Sequence, residues 1–500
     1  MKNLFTCALL IPFCLINFYG AFGQWTGPKQ KPTEKKEIKY GPITPPHRTD
    51  DDMNRFRAYG LGQFIHWGIY AIPGNEWEGV SARGGAAASE WIRSWSGPTA
   101  PKNWKRIYDN LYKQFNPKDF DAKRWAKQAK DMGAKYMIFT TKHHDGFALW
   151  PSKYTDYTIA KTPYKKDIVK EVVDAYTAAG IDVYLYFSIL EWNNPNYMGK
   201  APQTDEEKKR YDLFLQYTRN QLLELLDNYP QIKGFWFDGT WDQSWKRSYE
   251  FTYNLEKELR EKHPGLIIGS RFRNDEFEQR HFDSNGRLLG DYEQGWERKL
   301  PAAYEWLNGN DWDAVMTIPP NGWGYMKDWT GLYTKTADDL IDMLMQSVSM
   351  GGNFVLNFGP DGQGNMHPGE DKLAKEIGEW MRLNSEAVYG TVHADFPVSK
   401  LGYYTQKGTT LYLTVFNRPV NDLVRIAVPK NGQLVPISAE LLLNNQQLMV
   451  AHSDMGLDLD KNTYYTITLP KAFQSDRAFV IKMQLGKPTK KAEKLMDAKM

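Results

Sequence analysis

From about residue 55 the chain alternates short apolar runs with stretches of helical spacing. "LGQFIHW" (61–67) is the first candidate strand. In "FDAKRWAKQAKDMG" (120–133), Ala122, Trp125, Ala126, Ala129 and Met132 share one helical face, and Gly133 ends the helix. "AKYMIFTT" then reads as a strand, "IVKEVVDAYTAAG" as a helix and "IDVYLYFS" as a strand. Thr204 and Glu207 have capping-box spacing and open a helix to about 228, followed by the strand "IKGFWFD" (232–238). A helix over roughly 243–262 leads to the strand "LIIGS" (266–270), with weaker strands near 287–291 and 312–318. Thr336 and Asp339 start another helix, then come the strand "NFVLNFG" and a helix over about 368–384.

Strands alternating with helices imply parallel βα units, and about eight of them predict an α/β fold, a (β/α)8-like TIM barrel over 51–390. An open doubly wound sheet is the alternative, but no G-x-G-x-x-G follows an early strand. Beyond about 390 the pattern changes to short alternating strands, "LGYYTQKGTTLYLTVFN", "LVRIAVP", "ISAELLLNNQQL" and "TYYTITLP". These predict a small antiparallel β-sandwich over 391–486, with a charged tail at 487–500.

At the other end, Lys2 precedes an almost wholly apolar run (4–16), and small residues Ala21 and Gly23 stand before Gln24. The segment 1–23 therefore reads as a cleaved signal peptide, which implies a secreted or periplasmic protein. The run is too short for a full membrane span, and bulky Phe13 before Cys14 argues against a lipoprotein. Residues 24–50, rich in Pro, Lys and Thr, read as an extended lead-in. Both cysteines, Cys7 and Cys14, fall in the leader, so the mature chain has no disulfide, thiol nucleophile or cysteine metal site. The formal net charge of +3 gives no reason to expect nucleic acid or a membrane surface as partner, and no other apolar run is long enough to span a bilayer.

Position along the strands changes the picture further. The first candidate strand ends at His66 and Trp67; the second ends at Lys142, His143, His144 and Asp145. The third passes through Tyr186 and Ser188 to Glu191 and Trp192, the fourth ends at Asp238, and the fifth leads to Arg271. The sixth leads through Asp291 to Glu293 and Glu297, the seventh toward Trp323, and the last ends at Asn357. In a barrel these positions gather around one mouth. Asp238 alone would more simply cap the next helix, although "GTW" separates it from the helix start. Glycoside hydrolysis needs a second carboxylate, for which Glu276, Glu278, Asp291, Glu293 and Glu297 are candidates that composition cannot rank. Adjacent His143 and His144 lack zinc-ligand spacing; as hydrogen-bonding groups for hydroxyls they make better sense. Some of the 18 tryptophans, such as Trp67, Trp91, Trp236 and Trp323, could stack on a sugar.

Five stretches closely resemble glycoside hydrolase family 29, the α-L-fucosidases: "FIHWGIYAIPG" (64–74), the block from Phe115 to Tyr157 through "TTKHHDGFALW", "LYFSILEW", "GFWFDG" and "GGNFVLNFGPDGQG" (351–364). The resemblance covers about 55–390 and implies a retaining exo-glycosidase that removes terminal α-L-fucosyl residues from oligosaccharides or glycoconjugates, with no cofactor and no metal. It implies Asp238 as nucleophile and Glu297 as acid/base, with Glu293 as runner-up. It implies sugar contacts from His66, Glu90, Trp91, His143, His144, Tyr186, Trp236, Arg271 and Trp323, with Glu76-Trp77 and Arg273 as less favoured substitutes. Trp312-Asp313 and "PPNGWGY" depart from the family pattern and put the outer subsites in question. The competing readings are an α-L-galactosidase of the same family, a carbohydrate-binding barrel without catalysis, and a metal-dependent hydrolase built on His66, His143, His144 and Asp238.

Overall fold

Eight parallel strands form the first layer: β1 (Leu61–Ile65), β2 (Tyr136–Lys142), β3 (Asp182–Ser188), β4 (Gly234–Asp238), β5 (Ile267–Ile268), β6 (Glu293–Glu297), β7 (Trp312–Thr317) and β8 (Asn353–Phe358). Their order is β5-β4-β3-β2-β1-β8-β7-β6. The two ends of this sheet meet in a single parallel bridge between Gly269 and Tyr292, backed by Asp291 N donating to the Ile268 carbonyl at 2.8 Å and Ser270 N to that of Tyr292 at 3.0 Å. The sheet thus curls into the expected (β/α)8-like barrel. This computed structural model describes residues 35–82, 88–327, 335–430, 434–453 and 462–488. The leader 1–23 and nearly all of the charged tail lie outside the described residues.

The helices stand where their capping signals put them. Helix α1 (Asp51–Ala58) precedes β1. Helix α2 (Ala122–Met132) buries the predicted face and stops at Gly133, whose φ of 97° is the left-handed conformation that glycine adopts without strain. Helices α3 (Ile168–Ala179), α4 (Asp205–Asn228), α5 (Tyr249–Lys262), α6 (Ala337–Ser349) and α7 (Pro368–Asn384) complete the outer ring. Both capping boxes, at Thr204 with Glu207 and at Thr336 with Asp339, are formed. The helix expected over 243–262 is broken after Lys246 and restarts at Tyr249.

No regular helix of length follows β5 or β6 among the described residues. The segment 269–292 is a long loop, and the strand expected near 287–291 is part of it. The sixth strand begins only at Glu293. Leu288 and Leu289 are apolar because they pack under this loop, whereas the strand itself, "EQGWE", is polar because it ends in the mouth. The lead-in from 35 to 50 lies against the same loop: Arg273 donates to the Tyr40 and Gly41 carbonyls at 2.7 and 2.6 Å.

Seven antiparallel strands follow: β9 (Gly402–Lys407), β10 (Thr410–Val415), β11 (Leu423–Pro429), β12 (Val435–Leu441), β13 (Gln446–Ser453), β14 (Asn462–Thr468) and β15 (Phe479–Gly486). Strand β13 pairs through 446–448 with β12 and through 449–453 with β14, so one strand serves both sheets of the sandwich. The strand β15, between β10 and β12, has no counterpart in the sequence reading. The sandwich is tied to the flank of the barrel through α6 and α7: Arg477 pairs with Asp338 and Glu376, each at 3.0 Å.

Inside the barrel, alternate residues fill the core. Phe64, Tyr136, Ile138, Tyr184, Tyr186, Trp236, Ile267, Tyr292, Val315 and Val355 pack together. The large rings at the closed end need strands without side chains opposite them. A Cβ at Gly62 would come within 2.5 Å of the Tyr136 ring, and one at Gly234 within 2.4 Å of the Ile267 carbonyl and 2.6 Å of the Tyr184 ring. Gly234→Ala overpacks this layer and is expected to destabilise the fold by about 1–3 kcal/mol, read as a lower unfolding midpoint in thermal or denaturant melts.

Candidate active site

Side-chain alternation decides what faces the mouth. Along β1, β3, β4 and β8 the core residues Phe64, Tyr186, Trp236 and Val355 are followed two positions later by His66, Ser188, Asp238 and Asn357, all at the open end. Two bulges reset this alternation elsewhere. In β2 an extra residue lies between Thr140 and Lys142, so Lys142 pairs with Phe187 rather than pointing inward. Lys142 is therefore buried between the barrel wall and α4, ion-paired with Glu191 and donating to Gln221 Oε1 at 3.0 Å. Glu191 also accepts from Tyr217 OH at 2.8 Å. Neither Lys142 nor Glu191 opens onto the mouth as their strand-end positions had suggested. They brace the turn that carries the histidine pair, where Trp192 N donates to the His144 carbonyl at 2.8 Å.

The second bulge, between Glu293 and Trp296, separates the acid candidates. Glu293 pairs with Trp312 and Trp296 with Ala314, both on the outer side in a cluster with Leu307. Glu297 pairs with Val315, which is a core position, so Glu297 points inward. The remaining candidates are occupied elsewhere. Asp291 pairs with Arg48 at 3.1 Å and Arg260 at 3.0 Å. Glu276 accepts the Lys39 and Tyr40 amides, and Glu278 pairs with Arg247 at 3.0 Å.

Arg271, just beyond β5, joins the two inward carboxylates. Its Nη1 lies 3.2 Å from Asp238 Oδ1 and its Nη2 2.5 Å from Glu297 Oε2, while Nε donates to the Gln294 carbonyl at 2.9 Å. Burial opposes the charge on Arg271, but Glu297 and Asp238 together outweigh it and raise its pKa above the ordinary value. Arg273, the alternative, is paired with Glu256 and holds the lead-in. Tyr186 OH donates to Asp238 Oδ2 at 3.0 Å. The His143 ring stacks on Tyr186, Tyr186 on Trp236, and the Arg271 guanidinium lies 4.8 Å over Trp236. The side chains of Asp238 and Glu297 retain 15% and 19% exposure, so both carboxylates are reachable from the mouth.

The hydrogen-bond network assigns the histidine tautomers. Asn357 Nδ2 donates to the Trp323 carbonyl at 2.7 Å, which turns Oδ1 toward His66 Nδ1 at 2.6 Å. His66 thus carries its proton on Nδ1 and presents Nε2 as an acceptor. Ser188 Oγ donates to the Leu190 carbonyl at 2.7 Å and accepts from His144 Nδ1 at 2.6 Å. His144 Nε2 is then a bare acceptor, 3.7 Å from Asp238 Oδ2. That approach is not an ion pair; it leaves two acceptors facing one donor position, which suits a hydroxyl. Burial pushes the His66 and His144 imidazoles down to about 3, and burial with its two histidine neighbours takes His143 well below its ordinary value.

Aromatic groups wall the pocket. Trp323 tilts against His66 at 5.1 Å. Trp91, Trp192 and Trp241 present edges to His144 at 5.0, 5.5 and 5.6 Å. Trp241 was read only as part of a linker, and Trp192 and Asn357 only as strand ends; their position just past apolar strands was the available signal. Trp67 packs outside the mouth among Phe115, Phe120 and Trp125. Glu90 is buried, and its Oε2 accepts the Trp323 and Gly324 amides at 3.1 and 3.0 Å. It fastens the loop carrying Trp91 to the loop after β7, and burial raises its pKa. Glu76 pairs with Lys327 at 2.7 Å, and Trp77 packs edge-on against Trp104. Asp145 accepts from Tyr108 OH and its own turn, so it supports the histidine pair from behind. Among the described residues no three His, Cys, Asp or Glu converge as a metal-ligand set, which leaves the metal-hydrolase alternative without ligands there.

Residues 29–386 match the sequence profile of the Alpha-L-fucosidase family. The chain belongs to this family. It is similar to an alpha-L-fucosidase GH29 from Bacteroides thetaiotaomicron, with 44% identity and a TM-score of 0.84 over 91% of this chain and 99% of that one. A second structure from the same organism, a trapped covalent intermediate with 2-fluoro-fucosyl fluoride obtained with a Glu-to-Gln mutant, has 44% identity and a TM-score of 0.83 over 90% and 100% of the two chains. Mouse tissue alpha-L-fucosidase is 27% identical over 397 residues, 76% of this chain and 81% of that protein. The fucosidase family thus accounts for the barrel, and the match in the solved structures extends over the sandwich as well.

Two outcomes follow from the site's construction. Lys142→Met leaves Glu191 buried without its cation and should cost about 3–5 kcal/mol. Adding Glu191→Met should restore part of that loss in the same denaturant titration. The histidines titrate well below the ~6.5 of an unfolded chain, so the unfolded state takes up protons first. Stability is therefore complete above pH ~6.5 and falls as pH drops toward about 3. Melting curves across that range, with His66→Asn reducing the slope, check it.

Proposed function

We propose that this chain is a retaining α-L-fucosidase in which Asp238 is the nucleophile and Glu297 the acid/base. The observation that carries this reading is the single Arg271 guanidinium spanning both inward-facing carboxylates. In the first step Asp238 attacks the anomeric carbon while the bond to the leaving oxygen breaks and Glu297 gives that oxygen its proton. In the second, Glu297 takes a proton from water, the water oxygen bonds to the anomeric carbon, and the ester to Asp238 breaks. Two displacements at one carbon return the original configuration. The covalent intermediate trapped in the Bacteroides relative, with a glutamate changed to glutamine, supports this division of labour.

The sugar hydroxyls find acceptors at His66 Nε2 and His144 Nε2, and the wall of Trp91 and Trp323 offers apolar surface. Because both imidazoles are held neutral, they accept rather than donate at ordinary pH, which favours the hydroxyl-bearing face of a neutral sugar. A fucosylated oligosaccharide or glycoconjugate is the substrate class, and membership of a family whose named relatives are fucosidases favours hydrolysis over carbohydrate binding alone. The leader-like residues 1–23 support export to the periplasm or medium.

Asp238→Asn should lower kcat on an aryl fucoside by several orders of magnitude while fucose binding persists. Glu297→Ala should retain far more activity on aryl fucosides with good leaving groups than on natural glycosides, since only the latter need protonation. Equal losses on both substrate types remove Glu297 from the acid role. Unimpaired turnover by Asp238→Asn removes the nucleophile.

A further inference from the structure

The long loop after β5 brings a second guanidinium to the pocket. Thr240, two residues past Asp238, donates its hydroxyl proton to the Arg271 carbonyl at 2.6 Å and accepts from Arg280 Nη2 at 3.1 Å. Arg280 is thus held beside the catalytic pair by an oriented hydroxyl. Arg271, by contrast, is engaged on all three nitrogens by Asp238, Glu297 and the Gln294 carbonyl. Arg280 has no carboxylate partner among the described residues, and its Nε is buried without a hydrogen bond. The acids nearby in sequence are taken: Glu278 by Arg247, Asp275 by backbone amides of its own loop, and Asp242 by Tyr197 OH. Burial, with the repulsion of Arg271, outweighs the more distant pull of Asp238 and Glu297 and lowers the Arg280 pKa to about 10, so it is still a cation at neutral pH.

A desolvated guanidinium with no carboxylate in direct contact is costly, and its fork is shaped for two oxygens of one anion. Fucose carries no charge, so a substrate anion that meets this fork belongs to the aglycone. The rim agrees with this. Arg298 and Lys299 follow Glu297 directly, with Arg298 donating to Asn321 Oδ1 at 2.6 Å.

We propose that Arg280 selects fucosides whose adjoining sugar bears an anionic group, a carboxylate or a sulfate ester, and pairs with that group as the fucosyl unit enters the pocket. This rests on the fucosidase reading above and assigns Arg280 to specificity rather than to bond cleavage.

The test uses three matched oligosaccharides with the same fucosyl linkage, in which the adjoining sugar is neutral, carboxylated or sulfated. For the wild-type chain, kcat/KM on at least one anionic substrate should exceed that on the neutral one roughly tenfold at low ionic strength. The advantage should shrink with added salt. Arg280→Gln should bring the anionic-to-neutral ratio to about one, and Arg280→Lys should keep part of it. Effects on folding or on the chemistry act on all three substrates and cancel in the ratio. A wild-type ratio at or below one for both anionic substrates overturns the proposal, as does a ratio that survives Arg280→Gln. An aryl fucoside run alongside separates the two failures: no turnover of it condemns the fucosidase reading, whereas turnover with a flat ratio condemns the anion selection alone.

Discussion

The site depends on Arg271. Two carboxylates from different strands would repel each other across a partly dehydrated pocket, and the proposed mechanism gives each a different protonation history. A single planar cation between them removes that repulsion and fixes their spacing at once. Arg271 can do so only because its own position is fixed: Nε is bound to the backbone of β6, and its face rests on Trp236. The aromatic stack running from Trp236 through Tyr186 to His143 therefore extends the same constraint into the sugar pocket. Asp238 is held from both sides, by Tyr186 and by Arg271, so its orientation is set before any ligand arrives.

Neutral histidines follow from the same low-dielectric surroundings. His66 and His144 each spend Nδ1 on a neutral acceptor, Asn357 Oδ1 and Ser188 Oγ, rather than on a carboxylate. With no acid on that side, burial wins and the rings remain uncharged. A charged imidazole next to Asp238 would compete with Arg271 for that carboxylate. Neutral rings instead offer lone pairs to hydroxyls without disturbing the charge balance of the pair.

Much of the architecture was legible because local rules and the fold agree. The face of α2, the two capping boxes and seven of the eight strands are periodicity and capping made visible. The sixth strand was missed because its sequence is polar, as a strand ending in a site must be, while the apolar "LLG" before it only packs a loop. The central strand β15 of the sandwich went unread although Ser475 and Asp476 mark a turn just before it. At the site, His66, Tyr186, Trp236, Asp238 and Asn357 could be placed from simple alternation. Lys142 and Glu293 could not, because each lies beside a bulge, and a bulge reverses facing without leaving a mark in residue type.

By itself the sequence determined the parallel βα succession, the open-end residues of the regular strands and the family. Those are properties of neighbouring residues, set by side-chain period and by caps within a turn of chain. Tertiary structure alone decided which of five carboxylates meets Asp238, which arginine stands between them and which is left without an acid. Such choices depend on bulge register and on loops that close over many residues, where contact is governed by distance in space and sequence separation carries no information.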